Sequence, residues 1–323
     1  MKKKQLLCVL LTGLMLLVPY SGVLAEEPEI QTEELTLASG VEGEEAMISR
    51  FDRYVMTEGQ EYELDLDGDG KTETISYKDT SVTDEDNGNY QAKAEIYRNG
   101  ELLFSLESSE YTYYWRLSYC TMKDGKTCLL AASVSDNDWT AELLLLSQED
   151  EDSLTIVGDL AELSRKNSET SENFLSGWAR FGYVSPSEKE NQFTVTWSET
   201  LRATGIVEAD LTYELTEEGI RLLEPPYKIY RLGMDGELNG EGQDWTAISA
   251  LDVKKEPGSE ETAYTVQPEE TVTLLETTCQ DGKIWILCEN SSKEQGWLED
   301  PEEYLYDEST GCSGCFKEAF FAG

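Results

Sequence analysis

Histidine is absent from all 323 residues of this chain. Without an imidazole, the Ser-His-Asp and Cys-His forms of nucleophilic catalysis have no base. Zinc chemistry would have to rely on Cys and carboxylate alone. Basic residues are scarce too: 25 Lys and Arg stand against 66 Asp and Glu, for a net charge of −41. That field repels phosphate backbones and anionic lipid headgroups, which argues against nucleic acid and acidic membrane surfaces as partners. It favours solubility, attraction of cations, or docking to something basic. Beyond the first 25 residues no run is apolar enough to span a bilayer, and long helical periodicity is nearly missing.

What the chain does have at its start is an export signal. Lys2, Lys3 and Lys4 form a positive n-region, Leu6 to Val18 an apolar h-region closed by Pro19, and Val23-Leu24-Ala25 a small-residue cleavage site. The apolar run is shorter than the roughly 20 residues of a spanning helix. Residues 1–25 are therefore expected to be removed, leaving a secreted chain that starts near Glu26. Removal takes away three lysines and no acid, so the net charge becomes about −44.

The mature chain reads as strand after strand. Residues 26–45 are Glu-rich and poor in large apolars, as in a disordered linker. A short helix is expected over 44–56, where Met47, Ile48, Phe51, Tyr54 and Val55 fall at helical spacing. Alternating or β-rich segments follow at 62–64, 74–77, 92–97, 102–104, 129–134, 143–146, 193–197 and 206–213, and Asn99-Gly100 predicts a type I′ turn. The expected fold class is all-β. Its larger N-terminal β-domain, over 46–231, is a sandwich or a propeller-like array. A Gly-rich linker at 232–243 leads to a small second domain over 244–306 and a tail over 307–323.

The strongest chemical motif is Asp65-Leu66-Asp67-Gly68-Asp69-Gly70-Lys71-Thr72-Glu73. Alternate carboxylates with glycines that let the backbone curl offer the oxygen-only ligand set a hard divalent cation requires. Position 12 of the loop, where an EF-hand needs a bidentate acid, is Ser76, and strands rather than helices flank it, so it is not an EF-hand. The segment resembles the D-x-D-G-D-G-x-x-D/E loops of extracellular β-propeller repeats of the FG-GAP type. That resemblance implies calcium held by Asp65, Asp67, Asp69, Glu73 and the Lys71 carbonyl, in a structural role.

Six cysteines remain after processing, and an oxidising exterior permits pairing. Cys120 and Cys128 flank a turn at Asp124-Gly125. A three-residue loop with a bulge would set them opposite each other, and a two-residue loop would offset them. Cys279 and Cys288 flank Asp281-Gly282, where a two-residue turn sets Cys279 opposite Ile284 and leaves Cys288 out of reach. Cys312-Ser313-Gly314-Cys315 has redox-motif spacing without the strand–helix context of an oxidoreductase, which points to a local disulfide or two thiols.

Two more motifs bear on function. Ser135-Asp136-Asn137-Asp138-Trp139 reads as a turn capped by its Asx side chains, with Trp139 packed inward; its acids could also add ligands or contact a partner. Tyr111, Tyr113 and Trp115 would share one strand face, buried or stacking on sugar. The order of these features resembles exported proteins of Gram-positive bacteria that join a D-x-D-G-D-G segment to a C-terminal SH3-like module. In particular, Leu251-Asp252-Val253 with Glu256-Pro257-Gly258, Val272 to Leu275, Lys283 to Ile286 and Gly296-Trp297-Leu298 resemble the strands of the bacterial SH3 domain family. Lys254 or Lys255 stands where that family has an Arg. The resemblance implies a binding module, with a cell-wall component or an extracellular protein as partner. The resulting expectation is a secreted or wall-associated, non-enzymatic binding protein with structural calcium and no membrane span. The alternative is an extracellular hydrolase of glycosidase type, because paired carboxylates need no histidine.

Overall fold

Strands form where the sequence alternates, and the apolar run Cys128 to Ala132 marks the strand with no exposed face. The computed structural model describes residues 54–84, 89–108, 112–135, 138–150, 153–165, 174–176, 179–231, 244–303, 306–307 and 312–321. All belong to one compact unit. The signal, the acidic linker, most of the expected 44–56 helix and the 232–243 linker lie outside them.

A first antiparallel sheet contains β1 (Tyr62–Leu64), β2 (Glu73–Asp79), β5 (Lys93–Arg98) and β6 (Glu101–Glu107), in that order. The small hairpin of β3 (Val82–Asp84) and β4 (Asn89–Gln91) branches off between β2 and β5. Asn99 and Gly100 take φ of 52° and 82°, the two positive values a type I′ turn demands, and Arg98 pairs Glu101 as expected. A second sheet is the meander β7 (Tyr114–Thr121), β8 (Thr127–Val134), β9 (Thr140–Asp150) and β10 (Ser153–Asp159). Asp159 then caps the one short helix described, α1 (Leu160–Ser164), by accepting from the Ala161 N–H at 2.9 Å.

The third sheet has eleven strands. Its path runs β11 (Arg180–Pro186), β12 (Gln192–Leu201), β13 (Gly205–Thr216), β15 (Tyr227–Arg231), β19 (Thr271–Gln280), β20 (Lys283–Asn290), β21 (Gln295–Glu299), β17 (Leu251–Lys254) and β18 (Thr262–Val266). Beside this path, β14 (Gly219–Leu222) pairs β13 and β16 (Asp244–Thr246) pairs β19. The two regions expected on either side of residues 232–243 thus share one sheet, joined where Tyr227 pairs Thr277 and Lys228 pairs Glu276. A two-stranded ladder of β22 (Tyr306–Asp307) and β23 (Cys312–Ser313) completes the elements.

All eight residues of β8 are buried, because the second sheet lies between two cores. Leu129 and Ala131 face the first sheet, packing with Ile75, Ile96, Leu117 and Leu146. Leu130 and Ala132 face the third, packing with Phe181, Val195, Trp197 and Leu211. Arg116 of β7 fastens the latter pair of layers: its guanidinium donates to the Phe181 carbonyl and lies 4.8 Å from that ring's centroid.

The last residues are not an appended tail. Phe316 is fully buried against Trp245 (centroids 5.6 Å apart), and Cys315 N–H donates to Ala203 O at 2.7 Å. Gly205, at φ 75°, lets Phe320 pass so close that a Cβ there would fall 1.9 Å from the Phe320 carbonyl oxygen. Among the described residues no helix is long and apolar enough to cross a membrane.

Because Leu130 is fully buried at the centre of an interior strand, Leu130→Ala should cost about 2–5 kcal/mol of stability. Urea denaturation should show this as a lowered midpoint with an unchanged slope.

Candidate metal centre

The acidic loop leaves β1 at Asp65 and returns to β2 at Glu73. Gly68 and Gly70 take φ of 76° and 84°, which permits the curl. Asp65 receives the loop's own N–H groups, Gly68 on Oδ1 at 2.7 Å and Gly70 on Oδ2 at 2.9 Å. Asp67 Oδ1 accepts from Asp69 N–H at 2.9 Å, and Asp69 Oδ1 from Lys71 N–H at 2.7 Å. The three carboxylates converge: one ligand oxygen from each lies within 4.8 Å of the others. An ionised carboxylate has about four lone-pair sites, so these bonds leave capacity for a cation.

Three of the five expected ligands therefore come together. Glu73 is turned back instead, its Oε2 accepting from the Leu66 N–H at 3.1 Å, and it is not part of the cluster. Lys71 places its ammonium 2.5 Å from Asp69 Oδ2, and this bond with its backbone counterpart holds the Asp69 carboxyl below its ordinary range. The donor set is hard oxygen on an exposed loop, which fits calcium and not a soft metal. The loop is seated on the second sheet: Thr127 N–H donates to Asp65 O at 2.8 Å, and Gly68 lies over Lys126, whose Cβ is 3.4 Å from where a Cβ at 68 would be.

The other flagged residues are placed as follows. Cys120 and Cys128 do stand opposite each other in the β7–β8 ladder, yet both are buried thiols. The Met122 N–H to Lys126 O bond (2.9 Å) fixes the ladder's alternation, making Cys120–Cys128 a hydrogen-bonded pair. At such pairs Cβ atoms are about 5.5 Å apart, beyond the roughly 3.5–4.5 Å of a disulfide. Cys315 is likewise a buried thiol, inside the core rather than in a loose redox turn; the Cys312 side chain lies outside the described residues. Cys279 pairs Ile284 across the Asp281-Gly282 turn, and Cys288 pairs Leu274, too far along to bond.

The aromatic row does not form: Trp115 is 3% exposed in the core, Tyr113 precedes the strand at 47% exposed, and Tyr111 lies outside the described residues. The Ser135–Trp139 turn is closed by Ser135 N–H to Trp139 O at 2.8 Å, with Asp136 and Asn137 outside the described residues.

A carboxylate pair that sequence reading could not single out is Glu208 and Asp210, two apart on β13 and so on one face. Glu208 is buried, and Asp210 is engaged by Thr196 Oγ1 at 2.6 Å and the Tyr230 hydroxyl at 2.9 Å. Neither offers the free, solvent-facing oxygen that attack on a glycosidic bond requires.

No protein-family model matches the chain, and no curated protein matches it. Among solved structures, the antimicrobial peptidase lysostaphin from Staphylococcus simulans is similar over 82% of this chain and 94% of its own, with 10% identity and a TM-score of 0.20. A score that low transfers neither fold nor function.

Burial pushes the Cys120 thiol up to about 12 and the Cys128 thiol up to about 11. At pH 8 about one part in 10³ or less is thiolate. Peptide mapping after maleimide treatment at pH 8 should find both unlabelled in the native protein and both labelled in denaturant.

Proposed function

We propose that this chain is an exported, non-enzymatic binding protein whose β scaffold is braced by calcium at the Asp65 loop and whose 244–306 region is an SH3-like docking module for cell-wall material. The convergence of the Asp65, Asp67 and Asp69 carboxylates on a loop seated against the second sheet carries the reading. A cation there neutralises three crowded charges and ties the β1–β2 connection to the β7–β8 turn. Asp65, Asp67 and Asp69 would hold it, with Glu73 swinging in from Leu66 to complete the set. The ion's contribution is structural.

The non-enzymatic part rests on the missing histidine, on the burial of Glu208 and on the engagement of Asp210. Export rests on residues 1–25 and the docking role on the order of Leu251 to Leu298, a region built into the third sheet and therefore rigidly held.

Extracellular calcium modules bind at about 10⁻⁴–10⁻³ M. Calcium at about ten times the dissociation constant should raise Tm by about 3 °C. Asp67→Ala with Asp69→Ala should abolish the rise, and identical melting in calcium and in chelator would sink the site. The mature chain should also co-sediment with purified cell walls without solubilising them. Release of reducing ends or amino groups from the walls would favour the hydrolase instead.

A further inference from the structure

The outer face of the third sheet holds a carboxyl group that its neighbours leave half satisfied. Val207, Ala209, Leu211 and Tyr213 of β13 face the core, so Glu208, Asp210 and Thr212 face away from it. Register sets two rows across that outer face. One is Arg180, Ser198, Glu208 and Tyr230; the next is Tyr183, Thr196, Asp210 and Lys228. A charged residue on an outer face is ordinarily solvated, yet Glu208 is only 2% exposed and Thr196 beside it 1%.

A bulge makes room for the carboxyl group. Gly182 is the extra residue between Phe181 and Tyr183 in β11, and a Cβ there would lie 2.8 Å from Thr196 O and 3.5 Å from Glu208 Oε2. The missing side chain lets Thr196 O come closer to this backbone than a Cβ would allow, and leaves Glu208 Oε2 at contact distance from where that Cβ would be. Glu208 Oε2 has no hydrogen-bond partner. A buried carboxyl oxygen without a donor is costly when charged, and a proton on the group removes that charge.

The charged and titratable groups around Glu208 act in both directions. Asp210 on its own strand disfavours a second negative charge, while Arg180 from β11 and the Ser198 hydroxyl from β12 favour it. From β15, Tyr230 is the register partner and gives its hydroxyl to Asp210, and Lys228 pairs Asp210 one row on. Tyr183 of β11 flanks the same rows. Desolvation outweighs the favourable contacts and pushes the group up to about 7.

We propose that Glu208 is a proton switch built into the third sheet. In acidic medium its carboxyl group holds a proton at the unpartnered Oε2, close over Gly182. As the medium turns neutral to alkaline the proton leaves to solvent, and the buried carboxylate weakens the seating of β11 on β12 and β13.

The sign follows from linkage. The unfolded chain releases this proton near 4.5 and the folded one near 7, so the contribution is full below about 4.5, is lost as pH rises towards 7, and is level above. With no histidine in the chain and the Cys120 and Cys128 thiols pushed high, few other groups are expected to titrate between pH 5.5 and 7.5. Glu142 and Glu199 are also raised by burial, so the readout is the difference between wild type and Glu208→Gln, in which their contributions cancel.

Tm of the mature chain should fall by about 3–6 °C from pH 5.5 to 7.5, while Glu208→Gln should lose most of that slope and melt above wild type at pH 7.5. Difference infrared spectroscopy of the native wild type should show a protonated-carboxyl stretch at pH 6 that is gone by pH 8; this readout stands even if the variant does not fold. Equal pH slopes in the two proteins, or no protonated carboxyl at pH 6, would overturn the proposal.

Discussion

One strand has no face to spare for water, and the rest of the molecule is arranged by that constraint. β8 is interior both within its sheet, between β7 and β9, and across the stack, between the first and third sheets. A strand buried on both faces reads as a near-continuous apolar run rather than an alternating one, and Cys128-Leu129-Leu130-Ala131-Ala132, flanked by the small polar Thr127 and Ser133, is that kind of run. The pair of alanines at the strand's centre is small enough for two cores to close over one backbone. The strand's first residue also sets the candidate site, since the Thr127 N–H holds the Asp65 carbonyl. A cation at the acidic loop would therefore brace the strand that organises the core.

Local signals were legible because they are local. The Asn99-Gly100 and Asp281-Gly282 turns require two positive φ values, and only a few residue pairs supply them cheaply; both appear with the pairing such turns impose. Sheet membership was not legible. The β15–β19 pairing joins residues about 50 apart in sequence, and long-range pairing leaves no mark in either strand alone. The docked end of the chain did carry a signal that spacing-based reading of its cysteines overlooked. Phe316 beside Gly314 marks a segment that buries a side chain and passes close to other backbone.

The site was half legible for a similar reason. Alternating acids place Asp65, Asp67 and Asp69 around one centre through the loop's own geometry. Glu73 already belongs to β2, and the strand's direction carries its carboxylate to Leu66 N–H instead. Glu208 could not be found among 66 acids, because Val207-Glu208-Ala209-Asp210-Leu211 has the alternation of an ordinary half-exposed strand. Its burial appears only in the folded sheet, where its carboxyl group lies over the Gly182 bulge of another strand.

With so few bases available, most acids cannot be ion-paired, and the chain uses several of them as clasps on backbone N–H groups instead. Asp159 holds Leu143 and Ala161, Glu199 holds Ser176 and Thr200, Asp300 holds Arg202 and Ala203, and Glu318 holds Thr246. Asp300 and Glu318 draw together segments 97 and 72 residues apart, so they fasten the last strands and the docked end to the rest of the third sheet. Each such bond is charge-assisted, which makes a buried carboxylate tolerable without a cation. Among the described residues Glu208 alone has a buried carboxyl oxygen with neither a clasped N–H nor any other partner. The chain's usual solution for an acid is missing at that position, and a bound proton is the substitute that needs no additional residue.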